Sequence, residues 1–138
     1  MNRFQKIFDA QKALFATGAT RTYEWRVEQL DRMARMIKDN EQRFQEAMAK
    51  DFKTASQEYI FETQASAAET EVQKSQLKEW MKPVEAPVPR FLAKTGHKGM
   101  IYREPYGVTL IIGPFNGPLL LLALRWRRSR PATPAFSH

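Results

Sequence analysis

The sequence predicts a mainly α-helical chain with one or a few short strands, and three observations predict it. Between residues 3 and 82, apolar side chains recur at three- and four-residue spacing in four consecutive segments. Pro83, Pro87 and Pro89 then break that period, since proline removes a backbone donor and blocks helix continuation. Further on, Val108 to Ile112 is a short, β-branched, nearly all-apolar run, the composition of a strand buried on both faces as in a parallel sheet. At 138 residues the chain suffices for one modest domain.

Arg3 to Thr17 reads as the first helix, with Phe4, Ile7, Phe8, Gln11, Leu14 and Phe15 on one side and Lys6, Asp9 and Lys12 opposite. Gly18 ends it, and Thr20 or Thr22 is placed to cap the next. That second helix, Tyr23 to about Asp39, gathers Trp25, Leu30, Met33, Met36 and Ile37 on a broad face. Asn40 suits the start of a third helix, Glu41 to Lys50, which presents Phe44, Ala47 and Met48, with Phe52 beside them. The Met and aromatic stripe is expected to be core packing.

Thr54 or Ser56 is suited to cap a fourth helix, Gln57 to Lys82, rich in the helix-favouring Ala, Glu, Gln and Lys. Its expected apolar side is Tyr59, Ile60, Thr63, Ala67, Val72, Leu77, Trp80 and Met81. Glu58, Glu62, Glu69, Glu71 and Glu79 are expected to form a solvated face. Residues 83–103 read as an extended connector, a turn over Lys94 to Gly99 and a short strand from Met100 to Arg103. His97 is expected to be a loop residue, with nothing in reach to orient it as a base.

Gly113-Pro114 stops the Val108–Ile112 run at once. Phe115-Asn116 therefore falls on a turn beyond the carboxyl end of the expected strand, where ligands gather in open α/β sheets. An Asn amide there can point at charge developing on an oxygen without itself titrating. Alternatively, Asn116 caps the helix that follows.

Glu104, Pro105, Gly107, Val108, Pro114, Phe115, Asn116 and Pro118 form a pattern, E-P-x-G-V-x-x-x-I-x-P-W/F-N-x-P, that resembles the aldehyde dehydrogenase superfamily, in particular its class-3-like branch. With the helices ahead of it, the resemblance runs over roughly residues 4–124. It implies a parent of α/β class with a Rossmann-like cofactor domain. Residues 1–82 would be the N-terminal helices of that domain, 83–103 part of an oligomerisation arm, and 104–124 the first strand and oxyanion turn. It further implies Asn116 as the donor to the aldehyde oxygen, and Ile112, Gly113, Pro114 and Phe115 as backbone lying along the nicotinamide of NAD or NADP. The parent would oxidise an aldehyde to a carboxylic acid and form a homodimer. Gly117 departs from the pattern, which has Tyr or Phe there.

The same resemblance implies a Cys nucleophile, a Glu base, and a cofactor-binding Lys and Gly-rich turn later in the parent. This chain has no Cys at all. The expectation is a truncated member that is itself inactive and binds no cofactor alone. After Leu124 the sequence Arg125–His138 loses apolar period and does not match the family's A-x-A-A-I-A-A-G-N-T continuation. One legal back-translation of Arg125 to Phe136, read two bases on, gives V-A-A-I-A-A-G-N-T-C-V. Residues 125–138 are therefore expected to be a frameshifted tail.

Charge and composition narrow the other classes. The chain carries 22 Lys and Arg against 15 Asp and Glu, a net +7, but Arg125, Arg127, Arg128 and Arg130 all lie in the last fourteen residues. Without them the balance of 18 basic to 15 acidic residues is ordinary. The absence of Cys excludes disulfides and thiolate metal sites, and His97 and His138 form no metal cluster, so no metal is expected. The alternative is a basic nucleic-acid-binding module using Arg125 to Arg130 and Trp126, or a membrane-associated one using Val108 to Leu124. The favoured reading expects no nucleic acid partner, and no stable membrane anchor because that run is interrupted and shorter than the ~20 apolar residues a span needs. No secretory signal precedes the first amphipathic helix, and the expected location is cytoplasmic.

Overall fold

The computed structural model describes residues 3–51 and 56–128. Six helices and one small hairpin lie within them: α1 (Arg3–Ala16), α2 (Tyr23–Asp39), α3 (Glu41–Asp51), α4 (Ser56–Trp80), β1 (Val84–Ala86), α5 (Arg90–Ala93), β2 (Gly99–Ile101) and α6 (Pro118–Arg128). The chain is thus mainly helical with two short strands, as the periodicity predicts.

Local chemistry sets the helix ends. Gly18 adopts φ 76°, the left-handed conformation that stops α1. A single 3-10 turn, Ala19–Arg21, leads to Thr22, whose hydroxyl accepts a hydrogen bond from Trp25 N at 3.2 Å and caps α2. Asn40 serves two helices. Its side-chain amide donates to Met36 O at 2.9 Å, closing α2, and its carbonyl oxygen accepts from Phe44 N at 3.0 Å, opening α3. Ser56 is already the first residue of α4, while Thr54 and Phe52 lie outside the described residues.

The core forms where α2, α3 and α6 meet α4. Leu30 and Ile37 of α2, Met48 of α3, Leu77 of α4 and Ala123 of α6 are its buried apolar members. Lys74 Nζ on α4 lies 2.7 Å from Asp31 Oδ1 on α2 and 3.3 Å from Glu71 Oε1. Its hydrogen bonds to Asp31 and then Glu71 hold its ammonium above the usual lysine range.

The buried stripe of α4 differs from the expected one. It consists of Glu62, Thr63, Ser66, Thr70, Gln73 and Leu77, whereas Ile60 and Val72 face solvent. Burying hydroxyls here costs little, because each finds a carbonyl on its own helix. Thr63 Oγ1 donates to Ile60 O at 2.9 Å, Ser66 Oγ to Glu62 O at 2.7 Å and Thr70 Oγ1 to Ala67 O at 2.6 Å. Glu62 therefore belongs to the interior, not to the solvated face.

β1 pairs antiparallel with β2, Val84 opposite Ile101, Glu85 opposite Met100 and Ala86 opposite Gly99. A Cβ at Gly99 would meet Val88 Cγ1 at 2.9 Å and Ala86 O at 3.1 Å, so glycine lets the loop fold back onto the pair. β2 thus begins and ends slightly earlier than expected. His97 lies in the intervening loop, but Thr95 Oγ1 stands 2.7 Å from its Nδ1, so a neighbour does orient the ring.

Candidate functional site

Glu104 to Pro118 runs as a strap across the helices, fixed at both ends. At its start, Glu104 Oε2 lies 3.2 Å from Arg21 Nη2. Arg26 is buried nearby and donates from Nε to Thr20 O at 3.1 Å. Burial pushes the Arg26 guanidinium down from its usual range, Glu104 opposes that shift, and the like charge of Arg21 adds to it. Glu104 therefore sits in the field of two arginines. Gly107 takes φ 98°, a conformation side chains resist, and its α-carbon faces the Phe15 ring of α1.

The middle of the strap corrects the expectation of a buried parallel strand. Residues 109–114 form no strand, and the only sheet among the described residues is the β1–β2 pair. Leu110 is 87% exposed and Ile112 80%, with Val108 and Ile111 only half-buried. The physical reason is the lack of a ladder. An all-apolar strand is buried when strands flank it on both edges and layers cover both faces. Here α2, α3 and α6 pack on α4, and the two short strands pair with each other.

The turn falls where expected, directly before α6. Phe115 (85% exposed) and Asn116 project outward, and Pro114 is also exposed. Gly113 alone of the four residues implied to line the nicotinamide faces inward, where an added Cβ would lie 2.9 Å from Leu122 Cγ. Ile112, Pro114 and Phe115 form an open edge with no backbone–backbone hydrogen bond among the described residues.

The start of α6 has an unusual cap. Pro118 has no N–H, and Leu121 N donates to Gly117 O at 3.0 Å. Two first-turn amides remain, those of Leu119 and Leu120. The N-cap position is Gly117, which has no side chain to offer. Both amides instead donate to Glu62 Oε1 of α4, at 2.7 Å and 3.2 Å. Asn116 does not cap the helix, and its side chain makes no hydrogen bond among the described residues. A Cβ at Gly117 would meet Leu121 Cδ1 at 3.0 Å, so an aromatic residue there would need Leu121 to shift.

Sequence reasoning missed the anchors, Glu62 and the Arg21–Arg26 pair. The available signal was spacing: Glu62 shares the 62-66-70-73-77 register of the buried stripe. Among the described residues no group of acidic or histidine side chains is arranged to hold a metal, and no helix is long and apolar enough to cross a membrane. α6 continues through Arg128, but the side chains of Arg125 to Arg128, Trp126 included, and everything from Ser129 onward lie outside the described residues.

The helices, the E-P-x-G-V strap and the Asn turn carry the residues of the resemblance, without the strand it implies over 108–112. Comparison with known families agrees: residues 2–128 match the aldehyde dehydrogenase family, and the chain belongs to it. Within that family it is class-3-like. It is 35% identical over 122 residues to aldehyde dehydrogenase family 3 member B1 of Rattus norvegicus, covering 88% of this chain and 26% of the relative. It is 36% identical over 108 residues to the Homo sapiens protein of the same name, covering 78% and 23%. It is 34% identical over 123 residues to 4,4'-diaponeurosporen-aldehyde dehydrogenase of Staphylococcus aureus (strain NCTC 8325 / PS 47), covering 88% and 26%. The chain spans about a quarter of the length of these relatives.

Proposed function

We propose that this chain supplies the oxyanion turn of an NAD(P)-dependent aldehyde dehydrogenase, which oxidises an aldehyde to a carboxylic acid. The supporting observation is the Asn116 carboxamide, exposed on a turn and released from helix capping because Glu62 takes the amides. Its NH₂ would donate to the aldehyde oxygen as negative charge gathers there under nucleophilic attack, and it does so at any pH, since the amide does not titrate.

The strap fits the nicotinamide end of the cofactor. The exposed Ile112 and Phe115 and the unpaired peptide edge between them offer one wall for a flat ring. NAD(P), when bound there, would supply a hydride acceptor. Ile112, Gly113, Pro114 and Phe115 would orient it, and the apolar side chains would keep water from that face. The sequence has no G-x-G-x-x-G or P-loop pattern to cradle the phosphates, and no Cys to act as the thiol nucleophile. By itself, then, the 138-residue chain neither turns over an aldehyde nor retains NAD(P). A homodimeric parent and a cytoplasmic location complete the reading.

Two experiments test it. The purified chain, assayed with a panel of aldehydes and either NAD⁺ or NADP⁺, is expected to form no reduced cofactor, and turnover would overturn the proposal. Reading the coding DNA beyond codon 124 decides the frameshift reading, which predicts further dehydrogenase sequence in another frame. In the protein expressed from that restored frame, Asn116→Ala should lower kcat by about 10²–10³-fold. A loss below tenfold would remove Asn116 from the role.

A further inference from the structure

The Glu62 carboxylate is almost fully buried, 2% exposed, on the face of α4 that packs against α6. Interior carboxylates are costly unless they accept hydrogen bonds. This one accepts two, from the only first-turn amides of α6 left without an intrahelical acceptor, Leu119 and Leu120. The helix dipole adds to the attraction, since the positive end of α6 faces the carboxylate. About three turns further along α4, Gln73 Nε2 on the same stripe donates to Ala123 O at 3.3 Å. α4 thus grips α6 through polar groups at two levels.

The grip matters because of what precedes α6. Asn116 is three residues from Leu119, joined to it only through Gly117 and Pro118. The opposite side of the turn continues into 109–114, which has no sheet partner among the described residues. On that side Gly113 packs on Leu122 of α6, and Gly107 lies against Phe15 before Glu104 and its arginines. Both flanks of Asn116 thus lean on α6, whose start is held by Glu62.

We infer that Glu62 is the positioning residue for Asn116: by binding the Leu119 and Leu120 amides, it holds the turn that presents the oxyanion donor. The cap of α6 is moved from the N-cap residue to another helix. A side-chain cap at residue 116 or 117 would bend back over the helix start, whereas a remote carboxylate closes it from beneath and leaves the Asn amide facing outward. This inference rests on the reading of Asn116 as the aldehyde-facing donor, but its test does not.

The test is residue-resolved amide hydrogen exchange on the ¹⁵N-labelled 138-residue chain. First-turn amides without an acceptor exchange nearly as fast as in an unfolded chain. In the wild type, Leu119 and Leu120 are therefore expected to be protected, and their exchange at unfolded-chain rates would overturn the inference without any mutation. In Glu62→Gln, the charge-assisted bonds become neutral, and exchange at Leu119 and Leu120 should rise by about 10–100-fold. The fast-timescale disorder of the Asn116 backbone and carboxamide should rise with it. Leu30, Ile37 and Leu77 amides should keep their rates. Glu62→Asp, which retains the charge but shortens the reach, should fall between the two. An equal rise at all of these amides would mean that Glu62 merely stabilises the fold, and an unchanged Asn116 would mean that it does not position the turn. If Glu62 passes while Asn116→Ala spares kcat, the failure lies with the function and not with the anchor.

Discussion

Gln73→Met is expected to make this protein more stable, although it deletes a hydrogen bond in the core. Gln73 is buried between α4 and α6, with Nε2 3.3 Å from Ala123 O and 3.2 Å from Glu69 Oε1. Its Oε1 is also buried and has no hydrogen-bond partner among the described residues. The two terms oppose each other. The bond to Ala123 is long, so its net worth lies at the low end of the usual range, about 0.5 kcal/mol. An unsatisfied buried oxygen costs about 1–3 kcal/mol, and the substitution removes it. Glu69 is only half-buried and regains water. Met nearly conserves the volume, so no cavity opens. The balance is a gain of roughly 0.5–2.5 kcal/mol. Urea unfolding followed by far-UV circular dichroism measures it as a higher midpoint at unchanged slope. A midpoint lowered by the equivalent of more than about 1 kcal/mol would show that the Ala123 bond outweighs the stranded oxygen and would refute the reasoning.

Three further outcomes follow from the same interior and surface. Leu77→Ala, at a fully buried position on α4, should cost about 2–5 kcal/mol in the same urea titration. Asn116→Ala should leave stability within about 0.5 kcal/mol, because the side chain is exposed and caps nothing, and a loss of about 1 kcal/mol or more would return it to a capping role. Lys74→Gln should cost less than about 1 kcal/mol at neutral pH, the usual worth of a partly exposed ion pair. Because the folded-state pKa of Lys74 is raised, its contribution is complete below the unfolded lysine pKa and disappears as pH rises through the folded one. The wild type and Lys74→Gln should therefore converge in stability at strongly alkaline pH, seen as merging thermal midpoints.

Helix boundaries were legible along the chain because their causes are local. Gly18, Thr22, Asn40 and Pro83 act through their own dihedrals and side chains within a few residues, and α2 spans Tyr23–Asp39 as the pattern predicts. The site motif and its turn were legible for the same reason, since Gly113, Pro114 and Pro118 punctuate the backbone wherever they stand. The buried face of α4 was not legible. Its members are mostly Glu, Thr, Ser and Gln, which composition assigns to solvent, and only their shared register and their partners on α3 and α6 make them interior. Val108–Ile112 erred the other way, apolar by composition yet largely exposed, because a strand exists only with a neighbour to pair with.

The sequence by itself determined the helical class, the breaks between helices and the turn that carries Asn116, all consequences of short-range sterics and spacing, while the family followed from the resemblance of its motif residues. Only the tertiary structure decided that Glu62 is a buried anchor and that the apolar run stays open. Both depend on which groups from distant parts of the chain come within hydrogen-bonding reach, and in the case of Glu62 the partners are 57 and 58 residues away.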